Sequence, residues 1–260
     1  MNCEILLAKN MRKLFKAAQH NNVNCPMHLH LDMEIVMVTS GTLNMQINGT
    51  NYEISKNQAV FIPSCVPHSF ASFKQNICRV FEFKENLVPE FFCFLKSHTP
   101  KRHLFNLSPE LANYAEKILS GSDELDGVAA QALLGSLCLE IKEKCTFFEG
   151  QAIAEEWLYE VVDYMNKHFS ENITLKSVAK AIGVHHVTLS KKFSQLSDIS
   201  FPNYLNYLRC TCAADLIRRG NLTFTEIAYL SGYGTIRNFN RAFLSVHGLT
   251  PTQFKISINE

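Results

Sequence analysis

Residues 227–251 read IAYLSGYGTIRNFNRAFLSVHGLTP, and this stretch decides the architecture of the C-terminal third. Just upstream, Thr223 and Glu226 have the spacing of a capping box, in which hydroxyl and carboxylate satisfy each other's free backbone N–H groups. Ile227, Ala228 and Leu230 follow as the apolar face of a short helix, and Gly232 closes it. Thr235 caps a second helix that turns Phe239 and Phe243 inward, and Thr250-Pro251 opens a last short one. Helix, glycine-bearing turn, helix is the helix-turn-helix pattern.

The pattern occurs once more upstream. Thr174 caps a helix over residues 175–182 with Leu175, Val178, Ala179 and Ile182 inward, and Gly183 ends it. A second helix, about residues 185–195, buries Leu189 and Phe193, and the small Ala179 lets the two helices approach. Between the two copies a helix opens at Ser200 and Pro202 and stops at Arg218-Arg219-Gly220, with cations in the last turn. It spans about 17 residues, or roughly 25 Å at 1.5 Å per residue. With the flanking units added, that approaches the roughly 34 Å between successive turns of a DNA groove. One chain can therefore place two recognition helices in adjacent major grooves.

Charge divides the same way. Residues 173–260 hold 10 Lys/Arg and 4 Asp/Glu, a net of +6, whereas residues 1–172 hold 15 and 20, a net of −5. One end is suited to a polyanion and the other is not. At 260 residues, 47% hydrophobic and 19% charged, the chain is globular and long enough for two domains. No run approaches the roughly 18 apolar residues of a membrane span, and Glu4 and Lys9 interrupt any signal-peptide core. Nine cysteines, odd in number and without a Cys-x-x-Cys pair, read as reduced thiols in a cytoplasmic protein.

Residues 173–257 resemble the DNA-binding domain of the AraC/XylS family of transcription regulators. The likeness rests on Ile173-Thr174-Leu175, Val178-Ala179, Gly183-Val184 and Leu189-x-x-x-Phe193. It rests above all on Ile227-Ala228, Gly232-Tyr233, Phe239-x-Arg241-x-Phe243, Gly248 and Thr250-Pro251. Leu244-Ser245 departs from the aromatic or basic residues usual there. Carried over by position, the resemblance implies DNA contacts from Val187, Ser190 and Lys191 on the first recognition helix. On the second it implies Ile236, Arg237, Asn240 and Arg241. The residue types suit base edges: arginine pairs with guanine, asparagine with adenine, and valine or isoleucine meets a thymine methyl. Lys192, Arg218 and Arg219 are phosphate candidates. Arg241 can instead brace its own helix, and His185 and His186 read as cap and surface residues.

Residues 28 to about 84 read as strands. Leu43, Met45 and Ile47 alternate with Asn44, Gln46 and Asn48, Asn48-Gly49 marks a hairpin, and Tyr52-Glu53-Ile54 returns. Residues 59–63, 69–73 and 78–84 are further short apolar segments, which together predict an antiparallel barrel or sandwich. His28, His30 and Glu34 are even numbers of residues apart, so on one strand they share a face. His68 follows Pro63-Ser-Cys-Val-Pro67. This set resembles a cupin barrel in His28, His30, Glu34, Gly41, Pro63 and His68. It departs at Cys65, where glycine is usual, and lacks both the first motif's leading glycine, near Asn22, and the second motif's final asparagine. Such a set can hold a divalent metal (Zn, Mn, Ni or Fe), form a polar floor for an organic effector, or be structural. Cys25 and Cys65 lie near these histidines and read as inert thiols rather than sensors.

From about residue 89 the period becomes helical. Ser108-Pro109 opens a helix with Leu111, Ala115, Ile118 and Leu119 on one face, ending at Gly121, and residues 127–145 carry the stripe Leu133, Leu134, Leu137 and Ile141. These helices either cover a barrel edge or form a dimer interface. Residues 148–152 are the linker candidate, before an amphipathic helix bearing Trp157, Leu158, Val161, Val162, Met165 and Phe169. The expected fold is a two-domain α+β chain: a cupin-like effector-binding barrel (1–88), a helical packing or dimerisation segment (89–150), and a double helix-turn-helix domain (151–260). The joint resemblance implies a regulator, not an enzyme. It would bind double-stranded promoter DNA, respond to a small molecule such as a sugar or glycoside, meet RNA polymerase and form a homodimer. The alternatives are a metal-dependent cupin dioxygenase or isomerase, and a ligand-independent regulator whose barrel serves dimerisation.

Overall fold

The computed structural model describes residues 14–119, 127–150, 156–197 and 199–258. Gly121, Cys3 and residues 151–152 of the predicted linker lie outside the described residues, while its residues 148–149 lie in a short strand, Phe147–Glu149. The chain divides into two compact units, one over Arg12–Glu156 and one over Trp157–Glu260.

In the first unit, strands β1 (Phe15–Asn21), β7 (Asn76–Phe83), β3 (Met33–Ile47), β5 (Gln58–Ile62) and β9 (Leu104–Asn106) pair in that order. On the other side β2 (Cys25–His28) pairs with β6 (His68–Ala71), and β6 and β4 (Thr50–Ser55) both pair with β3. All of these pairings are antiparallel. A two-stranded ribbon joins β8 (His98–Pro100) to β10 (Phe147–Glu149).

Strand β3 closes the barrel by belonging to both sides. Its first half pairs with β5 and β7, and its second half with β4 and β6. In the first half Val36 and Val38 point into the barrel while Met33, Ile35 and Met37 point out; in the second Leu43, Met45 and Ile47 point in. The inward parity changes from even to odd because the β3–β7 register shifts between Val38 and Ser40, which is a bulge. Gly41 follows at φ +72, and a Cβ there would run into the Gln75 carbonyl oxygen, so only glycine fits. The predicted Asn48-Gly49 hairpin forms, with both residues at positive φ as a two-residue turn requires.

The outward face of the larger sheet is covered by α1 (Pro89–Leu95), α2 (Pro109–Leu119) and α3 (Gly127–Lys144). Leu133, Leu134, Leu137 and Ile141 of α3 are fully buried against Ile35, Met37, Phe61 and Phe81, as their spacing predicted. Arg79, outward on β7, ties α2 down through Glu116, Nε to Oε1 2.6 Å. Strand structure begins at Phe15 rather than near residue 28. Strand β1 has only Ala17 buried, so it offers no apolar alternation to read.

The second unit is all helical: α4 (Glu156–His168), α5 (Leu175–Ala181), α6 (His186–Ser197), α7 (Phe201–Arg219), α8 (Phe224–Leu230), α9 (Ile236–His247) and α10 (Pro251–Ser257). The connecting helix α7 is 19 residues long, slightly more than expected, because Ser200 caps it and Pro202 sits in its first turn. Tyr204, Cys210, Ala213 and Ile217 of α7 are buried, giving the helix apolar faces toward both flanking pairs. The pairs repeat in detail. Thr174 with Ser177 and Thr223 with Glu226 form capping boxes. Val184 N–H donates to the Ala179 carbonyl and Tyr233 N–H to that of Ala228, each at 2.9 Å.

Candidate nucleic-acid interface and the barrel cluster

On α6, Leu189 and Phe193 are buried, which leaves Val187, Ser190 and Lys191 on the solvent side; Val187 is 59% exposed. On α9, Phe239 and Phe243 are buried, and Ile236, Arg237, Asn240 and Arg241 are exposed. Thr235 caps α9 through the Asn238 N–H at 3.2 Å, and Gly248 ends it in the left-handed region. Among the described residues, Lys191, Arg237, Asn240 and Arg241 form no side-chain hydrogen bond or ion pair within the chain. Their donors are thus available to a ligand. The three phosphate candidates differ. Arg219 is exposed, Lys192 lies over the Trp157 ring at 5.4 Å, and Arg218 pairs with Asp215 at 2.8 Å and lies over Phe254 at 5.3 Å.

Arg209 is a cation whose role sequence reading missed. Its guanidinium donates to the Phe169 and Glu171 carbonyls, both at 2.8 Å, and lies over the Tyr233 ring at 5.5 Å. It fastens the chain after α4 to the turn between α8 and α9. At that turn Gly232 sits at φ +86, and a Cβ would come within 2.8 Å of Ser170 Cα and 2.9 Å of the Phe169 carbonyl oxygen. The signal in the sequence was a lone arginine between the apolar Leu208 and Cys210 of α7.

In the barrel, His28, His30, Glu34 and His68 do converge, but not from one strand. Strand β2 ends at His28 and β3 begins at Met33, so His30 sits on the connection where the chain crosses between sheets. Closure of the barrel, not strand parity, brings them together. His28 and Glu34 are buried, His68 is fully buried, and His30 reaches solvent with about a fifth of its side chain (22%). The His28 and His68 ring centroids are 4.1 Å apart, and those of His30 and His68 5.0 Å. Each Nδ1 faces a backbone carbonyl: His28 that of Pro26 at 2.8 Å, His30 that of Asp32 at 2.7 Å, and His68 that of Val66 at 2.9 Å. Carbonyls only accept, so each Nδ1 carries its hydrogen. That fixes ring orientation and turns each Nε2 toward the centre.

His30 Nε2 lies 3.0 Å from Glu34 Oε2, and His68 Nε2 lies 3.6 Å from the same oxygen. Burial disfavours charge on His30, but its hydrogen bond to Glu34 and that carboxylate's charge outweigh it and push its pKa up to about 9. Burial also works against the Glu34 charge; the neighbouring His68 and the bonded His30 prevail and hold its pKa below the usual carboxylate range. His28 is pushed well below the ordinary histidine value by burial and by the other two histidines. Glu34 Oε1 and His68 Nε2 are buried without a hydrogen-bond partner. The nearest ligand atoms of His28, His30 and His68 all lie within 4.8 Å of one another. Burial raises the thiols of Cys65 and Cys78 to about 12, so both stay protonated at neutral pH.

Two of the three motif departures have a backbone explanation. Asn22 (φ +54) and Cys65 (φ +60) both adopt the left-handed conformation that glycine takes without penalty. Beyond the cluster the barrel interior is filled by Val36, Val38, Leu43, Ile54, Val60 and Ile62, none more than 1% exposed.

Comparison with known proteins agrees with both halves. Residues 178–256 match the model of a helix-turn-helix domain, and residues 19–83 that of a cupin domain. The chain is 26% identical over 233 residues to the HTH-type transcriptional activator RhaS of Citrobacter koseri, covering 84% of this chain and 83% of that one. It is 25% identical over 254 residues to RhaS of Escherichia fergusonii, covering 88% and 87%. Among solved structures, unsaturated fatty acid-bound ToxT from Vibrio cholerae shares the fold at a TM-score of 0.68 and 15% identity, covering 94% of this chain and 96% of that one.

Fold and exposed recognition faces together define a helix-turn-helix transcription regulator with an N-terminal cupin domain. In both domains the chain is similar to AraC-type regulators. Among the described residues no helix is long and apolar enough to cross a membrane.

Proposed function

We propose that this protein is a cytoplasmic, ligand-responsive transcription activator. It binds double-stranded promoter DNA by laying α6 and α9 in adjacent major grooves. The observation that carries this reading is the repeated helix-turn-helix, with Val187, Ser190 and Lys191 on one face and Ile236, Arg237, Asn240 and Arg241 on the other, all uncovered by the chain. Lys192, Arg218 and Arg219 add phosphate attraction without sequence information. The relatives named as activators support activation, and hence a meeting with RNA polymerase. The effector is a small molecule, with a sugar or glycoside favoured by the family resemblance. It switches the protein only if it binds one arrangement better than another. A homodimer through the barrel unit completes the scheme.

The test is selection of genomic fragments by the purified full-length protein. A few enriched intergenic sites, each with two half-sites about one helical turn apart, are expected. Uniform, purely salt-sensitive binding to all fragments would overturn the reading.

A second reading concerns the barrel cluster. His28, His30, His68 and Glu34 fit a divalent ion (Zn, Mn, Ni or Fe), because three anchored rings turn Nε2 inward and one of these atoms, that of His68, is buried without a partner, as is Glu34 Oε1. Such an ion supplies a positive anchor for the oxygen atoms of an effector. Otherwise the same residues form the polar floor that the effector bonds directly. Metal analysis of the purified protein decides between them: near-stoichiometric metal lost in Glu34→Gln supports the ion, and metal-free protein that still responds to effector removes it. The DNA-binding half favours either version over a cupin enzyme, since a dioxygenase or isomerase has no use for recognition helices.

A further inference from the structure

We infer that the two helix-turn-helix units read DNA unequally: α9 discriminates bases, while α6 chiefly docks. This rests on the DNA-binding reading above. The N-terminal turns of a recognition helix are the ones that reach base edges. In those turns α9 exposes Arg237, Asn240 and Arg241, and α6 exposes Val187, Ser190 and Lys191. Discrimination comes chiefly from flat side chains that make two hydrogen bonds to one base at once, guanidinium to guanine or amide to adenine. Each such pair separates right from wrong base by about 5–150-fold, equivalent to about 1–3 kcal/mol.

All of the side chains of that kind in these turns are on α9. Val187 can only touch a thymine methyl, and the Ser190 hydroxyl bonds indifferently to donors and acceptors. Lys191 carries a rotating ammonium on a flexible stem, which reads charge better than pattern. His185 and His186 at the start of α6 pack on each other, ring centroids 4.6 Å apart, and each offers a single bond rather than a fork.

The frame behind α9 is built for the task. Two-bond recognition tolerates little misplacement, so the helix must be held rigidly. The turn before α9 is clamped by Arg209 on the Phe169 and Glu171 carbonyls and by the close backbone approach at Gly232. Tyr233 in that turn packs on Phe239 at 5.7 Å, and Phe239 on Phe243 at 5.5 Å. The operator should therefore have one half-site with firmly specified guanine and adenine positions. The other, about one turn away, should have a weak consensus.

The experiment is selection from random double-stranded DNA by the full-length protein. Affinities of variants are then measured on the best sequence at one salt concentration. Information content concentrated in one half-site is the expected result. Arg237→Ala and Asn240→Ala should each erase a guanine or adenine preference in that half-site. Val187→Ala and Ser190→Ala should change affinity less than about threefold and leave the consensus intact, and Lys191→Ala should weaken all sequences alike. Two equally specified half-sites, or a Val187→Ala or Ser190→Ala loss as large as that of Asn240→Ala, would overturn the inference while leaving DNA binding standing. Failure to enrich any sequence over bulk DNA would instead overturn the DNA-binding reading, and this inference with it.

Discussion

The two units place their chemistry on opposite sides of their own cores. In the helical unit, the residues offered to DNA face water and the core behind them is apolar. In the barrel unit, the candidate site is itself part of the interior, with Glu34 and His68 at 2% exposure or less. A functional face on the outside can change without touching stability. A functional cluster on the inside is coupled to folding, because each of its polar atoms must find a partner there.

That contrast can be broken or sharpened by measurement. The largest effect expected is that of Glu34→Ala. It leaves His30 Nε2 without its acceptor and His68 without the neighbouring carboxylate charge, and costs about 1–3 kcal/mol. Chemical denaturation of the full chain checks this, and an unchanged midpoint would mean that the cluster contributes nothing to the fold. Next comes Cys65→Gly, which frees a residue held at φ +60 and should stabilise the barrel by about 1 kcal/mol. A loss instead would show that the buried thiol packs too well to remove.

Acid should weaken the helical unit through His247. Burial lowers its pKa below the ordinary 6.5, the Arg218 charge adds to this, and the bond of Nε2 to the Cys210 carbonyl only partly opposes them. The unfolded chain then takes up the proton more readily. This share of stability is intact above about pH 6.5 and is lost as pH falls from there through the folded value. Denaturation midpoints of wild type and His247→Gln across that range should converge on acidification, and parallel curves would count against it. His103 in the barrel is lowered by burial as well, so the His247→Gln chain should keep some acid sensitivity. The smallest effect belongs to Arg237→Ala and Asn240→Ala, which should leave the midpoint within about 0.5 kcal/mol of wild type. A larger shift would mean that the recognition face also supports the fold.

The same contrast explains what was legible beforehand. Helix caps and apolar spacing are local, so Thr174, Thr223, Thr235 and the inward Phe239 and Phe243 could be read directly. So could the outward face, as what remains once the buried side is known. The barrel's strands were visible wherever one face alternated, as at Leu43, Met45 and Ile47. Strand β1 was not, because an edge strand with one buried alanine carries no such signal. The residues of the cluster were grouped together in the sequence, but for an incomplete reason. Their convergence depends on where the chain crosses between sheets, which no spacing rule contains. Arg209 was missed because its partners are carbonyls about forty positions away, and carbonyls are the same in every sequence.

The bulge in β3 makes the length of the chain a determinant in its own right. Inserting a single codon between Val38 and Gly41, with the bulge kept, would send Leu43, Met45 and Ile47 outward and bring Asn44 and Gln46 into the barrel, whereas deleting one would keep those faces but remove the bulge. Natural variation in this protein should therefore accept many substitutions along β3 but almost no insertion or deletion at its midpoint. The Asn48-Gly49 tip, where the count affects neither side, should be the place where relatives differ in length.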